Sequence, residues 1–118
     1  MKILLAMLLG LVPTGAAAGR GPLACHLTAL SKDERAAHAQ LMLQMAGAVR
    51  ETKELSDGYA FRMAPQALAA TAQWVALESR CCPFFAFELE LESHGGPLWL
   101  RIRGAEGVKA FIREELGL

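Results

Sequence analysis

The chemistry this chain offers rests on its three cysteines. Two are neighbours in "ESRCCPFFAFELELE", residues 78–92, and the third lies more than fifty residues earlier, in "LACHLTAL", beside His26. Thiolates are soft donors that suit mercury(II), copper(I), zinc or arsenic(III), and three brought to one place would make a three-sulfur site. Cys25, Cys81 and Cys82 are therefore candidate metal ligands, with His26 as a possible fourth. The same residues admit a structural reading. An odd count leaves one thiol over if two are paired. Adjacent cysteines rarely bond one another, because the small ring strains the intervening peptide. A link from Cys25 to Cys81 or Cys82 is easier, and closing so long a loop would contribute about 4 kcal/mol. A nucleophilic role fits less well. A thiolate at the C-terminal end of a helix, beside Glu78, meets the negative end of the helix dipole, and Arg80 offsets this only in part.

Other candidate groups are fewer. His38, Met42 and Met45 stand at i, i+4 and i+7, so a helix would show one nitrogen and two thioethers on a single face. Methionines at that spacing more often fill a core, with the histidine at its edge. His94 falls in a turn. Paired carboxylates, a glycine-rich phosphate loop and a serine–histidine–aspartate set are not apparent, and the chain reads as non-enzymatic.

The elements that must position the cysteines are well punctuated. Ser31 followed by Glu34 has the spacing of a capping box and predicts a helix from about Lys32 to about Glu54, with Leu41, Met42, Met45 and Val49 as its apolar stripe. "SDGYAFRM" predicts a turn and a strand with Tyr59, Phe61 and Met63 inward. Pro65 suits the first turn of a second helix, with Leu68, Ala72, Val75 and Ser79 on one side and Trp74 and Leu77 flanking. Pro83 disfavours helical geometry at Cys82, so that helix is expected to end at about Cys81.

Beyond this corner Phe85, Phe87, Leu89 and Leu91 alternate with polar or small residues, as do Leu98, Leu100 and Ile102 after "SHGG". The two runs predict a hairpin with glutamates facing arginines on its wet side. A last helix from about Ala105 carries Val108, Phe111, Ile112 and Leu116 on one face. The fold expected is α+β: one compact domain in the order helix, strand, helix, strand, strand, helix, with helices on one face of a mainly antiparallel three-stranded sheet.

Composition bounds the setting. The chain has 118 residues, 53% of them hydrophobic, enough for one modest core. Residues 1–18 read as a signal peptide, with Lys2 as a short basic region, an apolar stretch from Ile3 to Val12 and small residues before Gly19. The domain itself then spans residues 19–118. That apolar stretch is too short to span a bilayer, so no stable membrane insertion is expected after its removal, and the protein is expected to be periplasmic or secreted, where cysteines meet an oxidising environment. Removing the leader leaves 11 basic and 12 acidic residues, so no positive field favours nucleic acid. The partners expected are a metal ion or an unknown protein.

A family resemblance attaches to particular stretches. "CHLTALSKDERAAHAQL", "LSDGYAFRM", "ALESRCCPFFAFELELE" and "LWLRIRGAEGVKAFI", in that order, resemble small bacterial CC-P-F-F proteins of unassigned function. The pattern is also similar to a three-cysteine domain that accompanies MerR-type, mercury-resistance-like regulators. The resemblance covers nearly all of residues 19–118, and its most specific element is the C-C-P-F-F corner with the upstream cysteine. It implies a soft-metal role for Cys25, Cys81 and Cys82. Unlike the regulator-linked version, this sequence carries no DNA-binding segment and opens with an export-type leader. On these grounds the expected function is capture of a soft heavy-metal ion by converging thiolates, and the alternative is an interaction module stapled by a disulfide from Cys25, presenting a surface near Trp99.

Overall fold

The computed structural model describes residues 23–118; the expected leader and its cleavage point lie outside the described residues. Helix α1, Lys32–Ala48, begins at the capping box read from the sequence. Ser31 Oγ accepts from the Glu34 backbone N–H at 3.1 Å, and the Glu34 carboxylate accepts from the Ser31 N–H at 2.9 Å. Leu41 and Met45 are buried, and His38 and Met42 are half-buried on the same face.

Helix α1 ends at Ala48, six residues short of the expectation, and Val49–Leu55 forms strand β1 instead. The sheet accordingly has four strands, not three. Charged residues at Arg50, Glu51, Lys53 and Glu54 let the stretch pass for the wet end of a helix, yet the same residues suit an edge strand, where charge guards the open side. Gly47 weakens the helix just before its end, Val49 and Thr52 favour extended backbone, and Ser56–Asp57 reverses the chain. What decides the outcome is the open edge of the next strand, whose backbone groups β1 satisfies.

Strand β2, Gly58–Met63, pairs antiparallel with β1 on one side and with β4, Leu98–Arg103, on the other. Strand β3, Ala86–Leu91, completes the order β1-β2-β4-β3, with Phe87 opposite Ile102 and Leu89 opposite Leu100. Tyr59, Phe61, Met63, Leu98, Leu100 and Ile102 are buried on the helix side. The other side carries the expected hairpin pairs, Arg101 with Glu90 at 2.9 Å and Arg103 with Glu88 at 3.3 Å, and also Arg62 with Glu51 at 2.9 Å, which follows from the added strand β1. All are solvent-exposed in part and contribute little individually. Leu89 and Leu91, expected inward, are 37% and 48% exposed, because the helical layer stops short of the far end of β3.

Helix α2, Leu68–Cys81, follows a single 3-10 turn at Pro65–Ala67 and ends where Pro83 requires. Its buried stripe is Thr71, Trp74, Glu78 and Cys81. This departs from the expected Leu68, Ala72, Val75 and Ser79: Leu68, Ala72 and Ser79 are exposed, and Val75 is only partly covered. Trp74 is the largest side chain on the helix, and burying it turns the helix toward His38, on which it stacks at 6.1 Å between ring centroids, and Phe87, which it meets edge-on at 6.0 Å. Helix α3, Val108–Leu116, buries Val108 and Ile112 and ends at Gly117 in the left-handed conformation that glycine readily adopts.

The N-terminal arm returns across the end of α2. Arg80 donates to both Glu34 carboxylate oxygens, at 2.8 and 3.1 Å, and to the Ala29 carbonyl at 3.0 Å. This fork joins the arm, the start of α1 and the end of α2. It also holds the Glu34 carboxyl down at about 2, with Arg80 as the main cause and the Ser31 N–H second.

Candidate functional site: a sulfur, carboxylate and imidazole corner

Pro83 stops α2 immediately after two cysteines, and the chain diverges there. Cys81 stays in the helix, whereas Cys82 leaves it with φ −126° and ψ 72°. Their side chains take different partners, as helical spacing requires. The His26 N–H donates to the Cys81 carbonyl at 2.7 Å, which lays the arm alongside the corner and brings Cys25 to Cys82. The two form a disulfide with Cα atoms 4.6 Å apart. Cys81 is the free thiol among the described residues. Its Sγ lies 3.8 Å from Cys82 Sγ, so three sulfurs share one corner.

The convergence of Glu78, His38 and Glu115 on them is what the sequence did not announce. Glu78, one turn before Cys81–Cys82, is 1% exposed. Its Oε1 lies 2.6 Å from His38 Nε2 and 3.7 Å from Cys81 Sγ, and its Oε2 is buried with no hydrogen-bond partner. Glu115, near the end of α3, places Oε2 3.6 Å from Cys25 Sγ. The spacing Glu78-x-x-Cys81-Cys82 on a last helical turn was the available signal, since residues three and four apart share a face. Helix α1 supplies His38, whose ring bridges Glu78 and Trp74.

Electrostatics at the corner disfavour loose negative charge. Burial, with Glu78 and then Glu115 nearby, pushes the Cys81 thiol up to about 11. The Glu115 carboxyl is pushed up to about 7 by partial desolvation first and by Glu78 second, although its side chain keeps a solvent-facing edge. Among the described residues neither carboxylate forms an ion pair with lysine or arginine; His38 alone faces Glu78. Cys81 is thus a poor free nucleophile, in line with the sequence reading.

Two sets of donor atoms could hold a metal ion, each set within 4.8 Å: Cys25, Glu78, Cys82 and Glu115, and His38, Glu78 and Cys81. They share Glu78. The structure brings Cys25, Cys81 and Cys82 together, while His26 is exposed and belongs to neither set. His38 shares a face of α1 with Met42 and Met45 but enters the site through Glu78, without them. Met42 and Met45 instead line an apolar cavity of about 230 Å³ with Phe61, Met63, Trp74 and Leu100. Behind the corner Phe84, Phe85 and Phe111 pack edge to face or tilted, with centroids 4.9–5.9 Å apart, so the C-C-P-F-F turn is seated on aromatic rings.

Among the described residues no helix is long and apolar enough to cross a membrane. The chain matches no protein-family model, no curated protein and no solved structure.

Proposed function

We propose that this domain acts outside the cytoplasm, periplasmic or secreted, as a capture module for a soft metal ion such as mercury(II), copper(I), zinc or arsenic(III). The donors are Cys25, Cys81 and Cys82, and the Cys25–Cys82 disulfide is the closed state of the site. One observation carries this reading: a third sulfur, itself buried, lies 3.8 Å from the disulfide, at a corner that also holds the buried Glu78 carboxyl, the exposed Glu115 carboxyl and an imidazole. A stapling disulfide needs no such company.

Opening requires two electrons and two protons from a dithiol reductant, which turn the bond into the thiols of Cys25 and Cys82. A metal ion then replaces thiol protons and forms metal–sulfur bonds, and those protons leave for solvent or the neighbouring carboxylates. Sulfur ligation is worth most for the softest cations, so mercury(II) and copper(I) rank ahead of zinc. The similarity of the cysteine pattern to the three-cysteine domain of MerR-type regulators points the same way.

Mercury(II) competition titration of reduced protein tests this. Each of Cys25→Ser, Cys81→Ser and Cys82→Ser is expected to lower affinity by more than the about 10–100-fold typical of losing an outer-sphere partner. Oxidised protein is expected to lose the same site. If the three variants bind mercury(II) as the parent does, three-thiol capture is wrong.

A second reading is favoured by the bond itself: a non-enzymatic module in which the disulfide only staples the arm. Its partner surface would centre on Trp99, half-exposed on the charged side of the sheet, where Nε1 donates to Glu92 at 2.9 Å and the Lys53 ammonium stands 5.1 Å from the ring. Under that reading cysteine substitutions change stability in the oxidised protein and leave metal affinity alone.

A further inference from the structure

We propose that the disulfide-bonded protein holds a borderline divalent cation of the zinc(II) class on His38 Nε2, a Glu78 oxygen and Cys81 Sγ. This rests on the metal-capture reading of the same corner, but it concerns the oxidised state and uses neither Cys25 nor Cys82 as a donor.

With Cys25 and Cys82 bonded to each other, Cys81 is the thiol that remains able to ligate among the described residues. Its partners are then nitrogen and oxygen. One imidazole, one carboxylate and one thiolate form a donor set of intermediate softness, which suits zinc(II) or cobalt(II) better than mercury(II). Charge closes as well: a carboxylate and a thiolate neutralise a dication, and the imidazole ligates as the neutral ring. The result is a buried site without net charge, in a place where lysine and arginine make no ion pair with Glu78.

A separate observation points to a cation. Glu78 Oε2 is buried without a hydrogen-bond partner, which is costly for a carboxylate oxygen. The His38 contact uses only Oε1. A metal ion beside Oε2 or bridging both oxygens would satisfy it.

The spacing is close to what such an ion needs. Around a tetrahedral zinc, a sulfur and an oxygen ligand stand about 3.6 Å apart, and a nitrogen and an oxygen about 3.3 Å. Cys81 Sγ and Glu78 Oε1 are 3.7 Å apart already. His38 Nε2 and Glu78 Oε1, at 2.6 Å, must part by about 0.7 Å. Binding releases the Cys81 thiol proton to solvent and takes His38 as the neutral ring with Nε2 free to ligate and the proton on Nδ1. His38 is the way in, since its side chain is 14% exposed while Glu78 is 1% exposed. Three protein donors leave a fourth position for water, the arrangement of an open zinc site.

The probe is cobalt(II) chloride, added to full-length protein whose disulfide has been verified by mass under alkylation. A sulfur-to-cobalt charge-transfer band and the intense visible bands of four-coordinate cobalt(II) are expected, both removed by zinc(II). Cys81→Ser should abolish the charge-transfer band. His38→Gln, which keeps a hydrogen-bonding group opposite Glu78, should weaken cobalt(II) binding about tenfold or more, with circular dichroism reporting that the fold is retained. The same His38→Gln protein, reduced, should still capture mercury(II). Absence of the bands in the oxidised parent, or cobalt(II) affinity unchanged in His38→Gln, overturns this proposal even if reduced protein binds mercury(II). Loss of mercury(II) capture with the cobalt(II) bands intact overturns the three-thiol reading and supports this one.

Discussion

Removing the disulfide should cost this protein a large part of its stability, and the size of the loss follows from the loop that it closes. Cys25 and Cys82 are 57 residues apart in sequence. Restricting an unfolded chain over a loop of that length corresponds to about 4 kcal/mol at room temperature in the chain-entropy treatment. Domains of this size have total stabilities of about 5–15 kcal/mol, so the bond would supply about a quarter of the margin or more. Cys25→Ser is the cleaner perturbation, because Cys25 is half-buried whereas Cys82 is fully buried. A serine at position 82 would add the burial of an unpaired hydroxyl, about 1–3 kcal/mol more. Urea unfolding followed by circular dichroism is the assay. With a slope of about 2 kcal/mol per molar, the midpoint should fall by about 2 M in Cys25→Ser. The parent in excess reductant should drop to nearly the same midpoint, whereas Cys81→Ser should respond to reductant as the parent does. A parent protein with one midpoint in both redox states would refute the reasoning, since the loop is closed only when oxidised.

Two further outcomes are expected. The Glu115 carboxyl, pushed up to about 7 in the folded protein, stabilises the fold while protonated: its contribution is complete below the ordinary carboxylate value of 4.5 and is lost as pH rises through about 7. Thermal midpoints should therefore decline from about pH 5 to about pH 8, and Glu115→Gln should flatten that decline. Gly58 lies where β2 crosses close to β4, and a Cβ there would collide with the Ile102 carbonyl oxygen and stand 2.9 Å from Arg103 Cα. Gly58→Ala is expected to cost about 3 kcal/mol or to yield insoluble protein, and an unfolding midpoint equal to the parent's would count against that close approach.

Much of the frame was legible in the residues. The Ser31–Glu34 box, Pro65, Pro83 and the "SHGG" reversal act within a few residues of themselves, through local hydrogen bonds and backbone sterics, so they place ends of elements whatever lies across the core. The hairpin register followed from strict alternation in Phe87–Leu91 and Leu98–Ile102, where a slip of one residue would turn the buried Leu98, Leu100 and Ile102 to water. The α+β class and the divergence of Cys81 from Cys82 rest on this local grammar, whereas the approach of Cys25 to the end of α2, across 57 residues, is a tertiary contact.

Tertiary structure decided what depends on distant partners. Val49–Leu55 is polar enough to extend a helix, and it is a strand because β2 offers an unpaired edge, which nothing within the segment reveals. Helix α2 buries Glu78 and exposes Leu68 because Trp74 takes the core beside His38 and Phe87, and because His38, forty residues earlier in sequence, makes a buried carboxylate tolerable. Hydrophobicity counts a glutamate as surface; only a partner brought by another helix reverses that. For the same reason the sequence named the three cysteines and placed Glu78 beside them only as a charge, without linking it to His38 or Glu115, which the fold brings within reach of the sulfurs while His26 stays exposed. Soft-donor chemistry belongs to residue type and is visible in one dimension, whereas the set of groups that surrounds a sulfur is fixed by how α1, α2, α3 and the N-terminal arm pack.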